Sequence, residues 1–469
     1  MPEIVLPGTY IEVRAEGLIS AGGVVTGNIG IVGTASKGPV DEVQLLGSLA
    51  EAREIFGESD QWIDGNNNEL TLIRALELIY KNGGQAVYAV RTANIKEDDP
   101  QRVIAANFVL TNDADQLLRL EAKTPGTWGN KIKAKICNAG EGKPGKKIIE
   151  FVYNKIEESY TIENVADLVN QLNQQPSMVV EVAQLFEGSQ GKLPDNTENY
   201  FGAGADGANA TANDYERSLV FLENEIINIL LLAGQDTTKL GMADLLQGHL
   251  KTTAGIKRER IALIGSGFKD GKDQLDDVPK NEEGRLIFTA PGILVSSNGK
   301  QNKLPGGYLA AAVAGLISSL PVQASPTNKI LTLEGLTTEY NSAQLEKLVS
   351  NSILLSEKRN GFRIVKGITT ASSPWNQITT RRIVDYAIYG VRSSCEPYIG
   401  KLNNERIRGA MKATLDGFLT RMVESEALVS YKLQVSATRS QEIAGESMVI
   451  LILMPTFSID FIKVTMYLS

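Results

Sequence analysis

Between residues 226 and 297 the chain carries three almost wholly apolar runs: IINILLL (226–232), RIALIGS (260–266) and GILVSS (292–297). Strands that are apolar on both faces must be covered on both faces. A parallel sheet with helices across each side supplies that cover. The intervening segments fit, with helices expected around 214–224 and 239–251. The same rhythm opens the chain. NIGIVGTA (28–35) reads as a strand, SLAEAREIFG (48–57) as a helix with a capping box from Ser48 to Glu51, ELTLIRALELIYKNGG (69–84) as an amphipathic helix, and QAVYAVR (85–91) as a returning strand. LPGGYLAAAVAGLISSLPV (304–322) is a small-residue helix able to approach a sheet closely.

The stretch 96–195 has another character. After KEDDP (96–100), which reads as a boundary, LLRLEAK, KIKAKIC, KIIEFVY and MVVEVAQLF are short, mostly alternating strands broken by Gly, Pro and Asn. One helix interrupts them, with Val165, Leu168, Val169 and Leu172 on a single face. The loop-forming run GSQGKLPDN closes the insert. Near the other end, a long helix puts Ile407, Met411, Leu415, Phe418 and Met422 on one face, and the strands VSYKLQVSA (429–437) and MVILILM (448–454) follow.

Both ends of the chain are themselves strand-like. At the start, Ile4 and Val5 precede Pro7, then Tyr10, Ile11 and Val13 lie in the alternating TYIEVR, and Gly17, Gly22 and Gly23 make a flexible tether. After Pro455, Phe457, Ile459 and Phe461 alternate on odd positions, then Ile462, Val464, Met466 and Leu468 on even ones. That change of phase marks a bulge or a crossing between sheets. Each end must pair either within its own subunit or with another chain.

A length of 469 residues holds roughly two to four domains. The net charge of -8 argues against nucleic acid as the main partner, and two distant cysteines, Cys137 and Cys395, make neither a disulfide framework nor a zinc site. The start MPEIVLPGTY is not a signal peptide, and the most apolar helical run, 308–320, is too short to cross a bilayer, so a cytoplasmic protein or one released by lysis is expected.

Signatures of chemistry are missing. Gly33–Gly38 follows a strand, but Pro39 and Val40 stand where a phosphate loop needs Lys and Ser or Thr. In GAGADGANATAND (202–214) only Asp206 and Asp214 bring carboxylates, too few for calcium, so a flexible linker is expected. The single histidine, His249, reads as a helix-surface residue with no serine motif to serve. The pairs Glu157/Glu158 and Asp98/Asp99 lie in polar, loop-like runs and read as solvated charges. Trp128 and Trp375 read as local core anchors. No cofactor, no metal and no enzyme activity is expected.

Several segments, in order from residue 6 to residue 468, resemble the tail sheath proteins of contractile phages and related phage-tail-like particles: LPGTYIEV, VGTASKGP, NGGQAVYAVR, EAKTPGTWGNKIKAKI, LPGGYLAAAVAGLISSLPVQASPTNK, GITTASSPWNQITTRRIVDYAI and LMPTFSIDFIKVTMYL. The resemblance implies a multidomain α/β fold with a β-rich insert. Its parts are an N-terminal strand arm and linker (1–23), an α/β segment packing with the core (24–95), a β-sandwich (96–195), a non-catalytic α/β domain of subtilisin-like topology (196–366), an α+β C-terminal domain facing the tail tube (367–454) and a C-terminal strand arm (455–469).

It also implies a function: a structural subunit that polymerises helically around a tube and contracts to drive it through a cell envelope. Another self-assembling phage protein, of tube or capsid type, and an α/β hydrolase are the alternatives. The arms would donate strands to neighbouring copies, hinged at Gly17, Gly22, Gly23 and Pro455. Implied partners are other copies, the tail tube protein, and baseplate and terminator proteins, with no nucleic acid and no membrane insertion. The place is a virion tail or tail-like particle assembled in the bacterial cytoplasm. Residues 356–421 carry twelve basic against five acidic groups in an acidic chain, so Arg406, Arg408 and Lys412 are expected to touch the tube. Arg381, Arg382 and Asp385 are expected to form an ion-pair network.

Overall fold

A computed structural model describes residues 25–59, 70–112, 115–139, 145–186, 193–194, 197–297 and 299–466. Strand β1 (Ile29–Gly33) is buried along its whole length, as a strand roofed on both sides must be. It is followed by β2 (Val43–Leu46), α1 (Leu49–Phe56), α2 (Leu72–Lys81) and β3 (Val87–Arg91). At the start of α1 Ser48 accepts the Glu51 N–H at 3.2 Å, but the Glu51 carboxylate returns to the Gly47 N–H at 2.7 Å. The expected capping box is thus displaced by one residue on its return side.

The β-rich insert consists of β4 (Asn107–Asn112), β5 (Asp115–Ala122), β6 (Lys133–Asn138), β7 (Lys147–Tyr153), β8 (Ile156–Ile162), α3 (Val165–Gln174), β9 (Val180–Leu185) and β10 (Thr197–Tyr200). Two antiparallel sheets result, β4-β5-β9 and β10-β6-β7-β8. Leu118, Leu120, Ile136, Phe151 and Trp128, with Leu168 and Leu172 of α3, share one apolar core. Backbone pairing runs past the boundary expected at 195. β10 pairs with β6, Asn107 bridges to Gly202 and Ile104 to Ala205. The last strand has to return beside the first segment for its amides to find partners.

The chain then re-enters the first sheet through α4 (Ala212–Val220), β11 (Ile229–Asp236), α5 (Met242–Gly255) and β12 (Ile261–Gly265). A short hairpin, β13 (Phe268–Lys269) and β14 (Lys272–Asp273), precedes β15 (Leu286–Ala290), β16 (Ile293–Ser297), β17 (Lys300–Leu304) and α6 (Gly306–Ser319). After them come β18 (Ile330–Leu331), β19 (Gly335–Leu336), α7 (Ser342–Ser350), β20 (Leu354–Lys358) and β21 (Phe362–Ile364). The sheet has the order β18-β21-β20-β15-β12-β11-β1-β3-β2. Its middle, from β20 to β3, is parallel, and the edge pairings are antiparallel.

One expectation fails here. GILVSS is not a strand of the parallel sheet. It forms β16, antiparallel to β17 and β19, and the parallel position belongs to LIFTA, β15. β15 is buried at every residue, whereas β16 ends on serines opposite the polar strand KQNKL. Helix α6 lies against α2 so closely that a Cβ on Gly315 would stand 2.3 Å from the Ile79 carbonyl oxygen. Its small residues make that approach possible.

The chain divides into two units. Among the described residues one is 27–319 with 326–371; the other is 25–26, 320–325 and 372–466. The boundary expected at 366 falls at 371, because Thr370 still donates its N–H to the Leu286 carbonyl at 2.9 Å. Residues 320–325, expected inside the α/β domain, belong with the C-terminal unit, where Gln323 donates to the Ser425 carbonyl at 2.6 Å. That unit has α8 (Ile378–Cys395), α9 (Glu405–Glu424), β22 (Leu428–Ser436), α10 (Arg439–Ala444) and β23 (Met448–Pro455). Ile383 and Ala387 of α8 pack with Phe418, Leu419 and Met422 of α9. Gly390 permits the contact, since a Cβ there would lie 1.8 Å from Phe418 Cζ.

Candidate assembly surface

The groups that invited a catalytic reading are engaged structurally. His249 is buried, not on a helix surface, and its Nε2 lies 3.1 Å from Arg260 Nη1. Burial and the Arg260 charge push its pKa down to about 3, so it is neutral and accepts from the guanidinium. The helix period left it on the side facing the sheet, where Leu246 and Leu250 are also buried. Glu157 and Glu158 lie on β8, not in a loop, and Glu158 accepts the Ser177 hydroxyl and the Met178 N–H. Asp99 accepts from Asn94, Asn209 and the Gln101 N–H.

The run 202–214, expected as a flexible linker, is tied down. Asp206 takes the N–H and hydroxyl of Thr127 at 2.6 and 2.9 Å, and buried Asp214 caps α4 through Thr211 and pairs with Arg217 at 2.8 Å. Trp128 is buried and Trp375 half-buried. Among the described residues no group of three His, Cys, Asp or Glu is placed to hold a metal ion, and no helix is long and apolar enough to cross a membrane.

What stands out in the C-terminal unit is unpaired strand. β22 and β23 form an antiparallel hairpin and, among the described residues, pair only with each other, so both outer edges present backbone groups. One face, with Leu433, Val435, Val449, Leu451 and Leu453, packs toward the helices. On the other, Met448, Ile450, Ile452 and Met454 form an apolar column exposed by 45–58%. Opposite them in register stand Ser436, Gln434, Lys432 and Ser430.

Among the described residues the chain beyond β23 joins no sheet. Pro455, expected as a hinge, is the last strand residue, opposite Leu428, and regular pairing stops after it. Thr456 is held by the carbonyls of Glu426 and Ala427. Residues 456–466 form no strand, and Phe457, Ile459, Phe461, Ile462, Val464 and Met466 are 63–85% exposed. Asp460 meets Gln377 at 3.3 Å. Ile4, Val5, Tyr10, Ile11, Val13, Gly17, Gly22, Gly23 and Leu468 lie outside the described residues.

The three basic residues expected to act together do not form one patch. Arg406 and Lys412 are exposed on α9, but Arg408 is turned toward α10, pairing with Glu442 at 3.0 Å and Asn403 at 2.9 Å. At about 100° per residue, position 408 falls beside the buried stripe of 411 and 415. Of the expected ion-pair network, Arg381 meets Asp385 at 2.7 Å and stacks on Trp375 at 4.4 Å. Arg382 instead donates, among the described residues, to the backbone carbonyls of Thr26, Leu320 and Pro321, and burial lowers its pKa to about 10. A double basic pair carries no sign of which arginine will find a carboxylate.

The phage tail sheath protein central domain family matches residues 208–370, and the phage tail sheath C-terminal domain family matches residues 370–469. A 117-residue stretch is 34% identical to the tail sheath protein of Staphylococcus phage Twort, covering 23% of this chain and 20% of that protein, so the chain spans about a fifth of the curated relative's length. Among solved structures, the fold is similar to a sheath tail protein of Desulfitobacterium hafniense, with TM-score 0.65, 15% identity, and 96% and 100% of the two chains covered. It is also similar to the contracted helical sheath of the anti-feeding prophage, with TM-score 0.57, 15% identity and 99% of each chain covered.

Proposed function

Because the chain belongs to the phage tail sheath family, whose central and C-terminal domains together match residues 208–469, we propose that it is the structural subunit of a contractile sheath. It polymerises as a helix of identical copies around a tail tube and, on triggering, contracts to drive the tube through a cell envelope. The place of action is a virion tail or a phage-tail-like particle put together in the host cytoplasm. Baseplate and terminator proteins bound the polymer at its ends. No catalysis and no cofactor enters this account.

The observation that carries the reading is a complementarity within one chain. Among the described residues, a two-stranded sheet with no third strand on either edge stands in the same unit as an exposed apolar tail that joins no strand. β-augmentation joins such parts between copies, with main-chain hydrogen bonds for attachment and alternate side chains for register. Each bond contributes a net of about 1 kcal/mol. A strand of six or so residues, plus the exposed apolar column it would cover, makes a link that survives movement of the bodies it joins. The N-terminal segment 1–23 is the second donor, and Gly17, Gly22, Gly23 and Pro455 let the two arms turn.

The parallel sheet centred on β1 and β11 supports a subtilisin-like topology without the triad, and the two antiparallel sheets of the insert support a β-sandwich. The domains 1–23, 24–95, 96–195, 196–366, 367–454 and 455–469 are the intended working parts, with the limits at 195 and 366 moved as described. The C-terminal unit faces the tube, using Arg406 and Lys412 on the exposed side of α9.

The test is electron microscopy of the purified full chain beside a chain ending at Pro455. Striated hollow cylinders from the first and none from the second are expected. Smooth narrow tubes would favour a tube protein, and cylinders from both would end the strand-donation account.

A further inference from the structure

At the carboxyl ends of β1 and β11 the connections part. From β1 the chain proceeds through the edge strand β2 and then β3 on one side; from β11 it proceeds to β12 on the other. Open parallel sheets bind ligands at such a switch point, because the diverging loops leave a crevice that no side chain of the sheet fills. Here the crevice is about 860 Å³ and is lined from the start of α2, the 208–213 loop, the β11–α5 loop and the β17–α6 junction. Small-molecule sites measure roughly 300–1,000 Å³.

Its floor is made of hydroxyls and amide. Buried Tyr215 and Tyr308 line it, with Gln235 Nε2 donating to Tyr215 Oη at 2.8 Å and Thr71 alongside. Gly234, at φ +64°, opens this floor, as a Cβ there would be 2.6 Å from Tyr308 Oη. Three lysines from three separate segments, Lys96, Lys239 and Lys303, stand on the rim. Against them the lining has a single carboxylate, Asp236, which is engaged by the N–H and hydroxyl of Thr238 at 2.9 and 2.5 Å. In a chain of net charge -8, a cleft with this balance selects anions.

We propose that this crevice binds a small phosphorylated metabolite of nucleotide size, its phosphate between Lys239 and Lys303 and its polar body over the Tyr215–Gln235 floor. The lining includes no residue of the 33–38 loop, whose sequence lacks the phosphate-loop lysine, and none of β22, β23 or the tail beyond them. The ligand acts as a bound ligand only, with no bond made or broken.

The experiment titrates purified full-length chain with ADP, glucose 6-phosphate and inorganic phosphate, and with adenosine as the uncharged control, by calorimetry and thermal shift at low salt. Saturable binding by at least one phosphorylated probe is expected, with adenosine about tenfold weaker or worse. Binding should fall about tenfold in the Lys239→Ala/Lys303→Ala variant and recover in Lys239→Arg/Lys303→Arg. Both side chains are exposed, so the unliganded variants should melt with the parent. No saturable binding by any phosphorylated probe, or equal binding by the alanine variant, overturns the proposal. Cylinder formation scored on the same samples separates this outcome from failure of the sheath reading.

Discussion

Arg382 donates from Nη2 to the carbonyl oxygen of Thr26 at 3.2 Å, joining α8 to a residue 356 positions earlier. The same guanidinium holds the carbonyls of Leu320 and Pro321 at 2.9 and 3.3 Å. A buried cation thus fixes two chain segments at the places where they enter the C-terminal unit. Replacing Arg382 with Gln should cost about 2–4 kcal/mol, through lost charge-assisted bonds and carbonyls left without donors. Denaturant unfolding gives the magnitude, and hydrogen exchange should rise at 320–323. An unchanged midpoint would mean water replaces the guanidinium at no cost.

His249 makes stability sensitive to acid. Its folded pKa, about 3, lies below the ordinary 6.5, so between those values the unfolded chain binds more protons. Stability therefore rises with pH across that window and falls as pH drops through it. Melting temperature should decline from pH 6.5 toward 4 in the parent, and less steeply in His249→Gln. Since the chain has one histidine, parallel profiles would remove it as the cause.

Gly390 and Phe418 should behave as a coupled pair. Alanine in a helix is normally better than glycine by about 1 kcal/mol, yet here its methyl would lie inside the Phe418 ring. Gly390→Ala is expected to destabilise by about 1–3 kcal/mol. Phe418→Leu should recover part of this, measured by a double-mutant cycle. Additive losses would show that the helices simply move apart.

The exposed tail should matter to assembly and not to folding. Ile459→Asp with Phe461→Asp changes side chains 79% and 78% exposed, so the isolated subunit should keep its stability within about 0.5 kcal/mol. Polymerisation, followed by sedimentation and microscopy, should be lost. Cylinders of normal yield would place the contact elsewhere.

Arg408 and Lys412 should separate. Arg408→Ala breaks the tie between α9 and α10 and should raise proteolysis at 437–447, whereas Lys412→Glu should leave folding intact and weaken co-sedimentation with a tube. Equal effects on tube binding would restore the single basic patch.

Local patterning was enough to read much of this molecule before any contact was known. The almost wholly apolar runs at 226–232 and 260–266 mark parallel strands because only burial on both faces tolerates them, and β11 and β12 are such strands. The stripe through Met411, Leu415, Phe418 and Met422 states which side of α9 is inside, since the helix period is set by backbone geometry. The alternation after Pro455 reads as strand, yet residues 456–466 form none within the single chain, because a strand exists only beside a partner.

Partnership is what sequence could not supply. Which of GILVSS and LIFTA joins the parallel sheet depends on the polar strand KQNKL folding back beside the former. Whether His249 is wet or buried, and whether Arg381 or Arg382 meets a carboxylate, depends on residues far along the chain. Propensity and period act over a few neighbouring residues, but burial and pairing are properties of surfaces brought together from hundreds of residues apart. Those were decided only when the chain had folded.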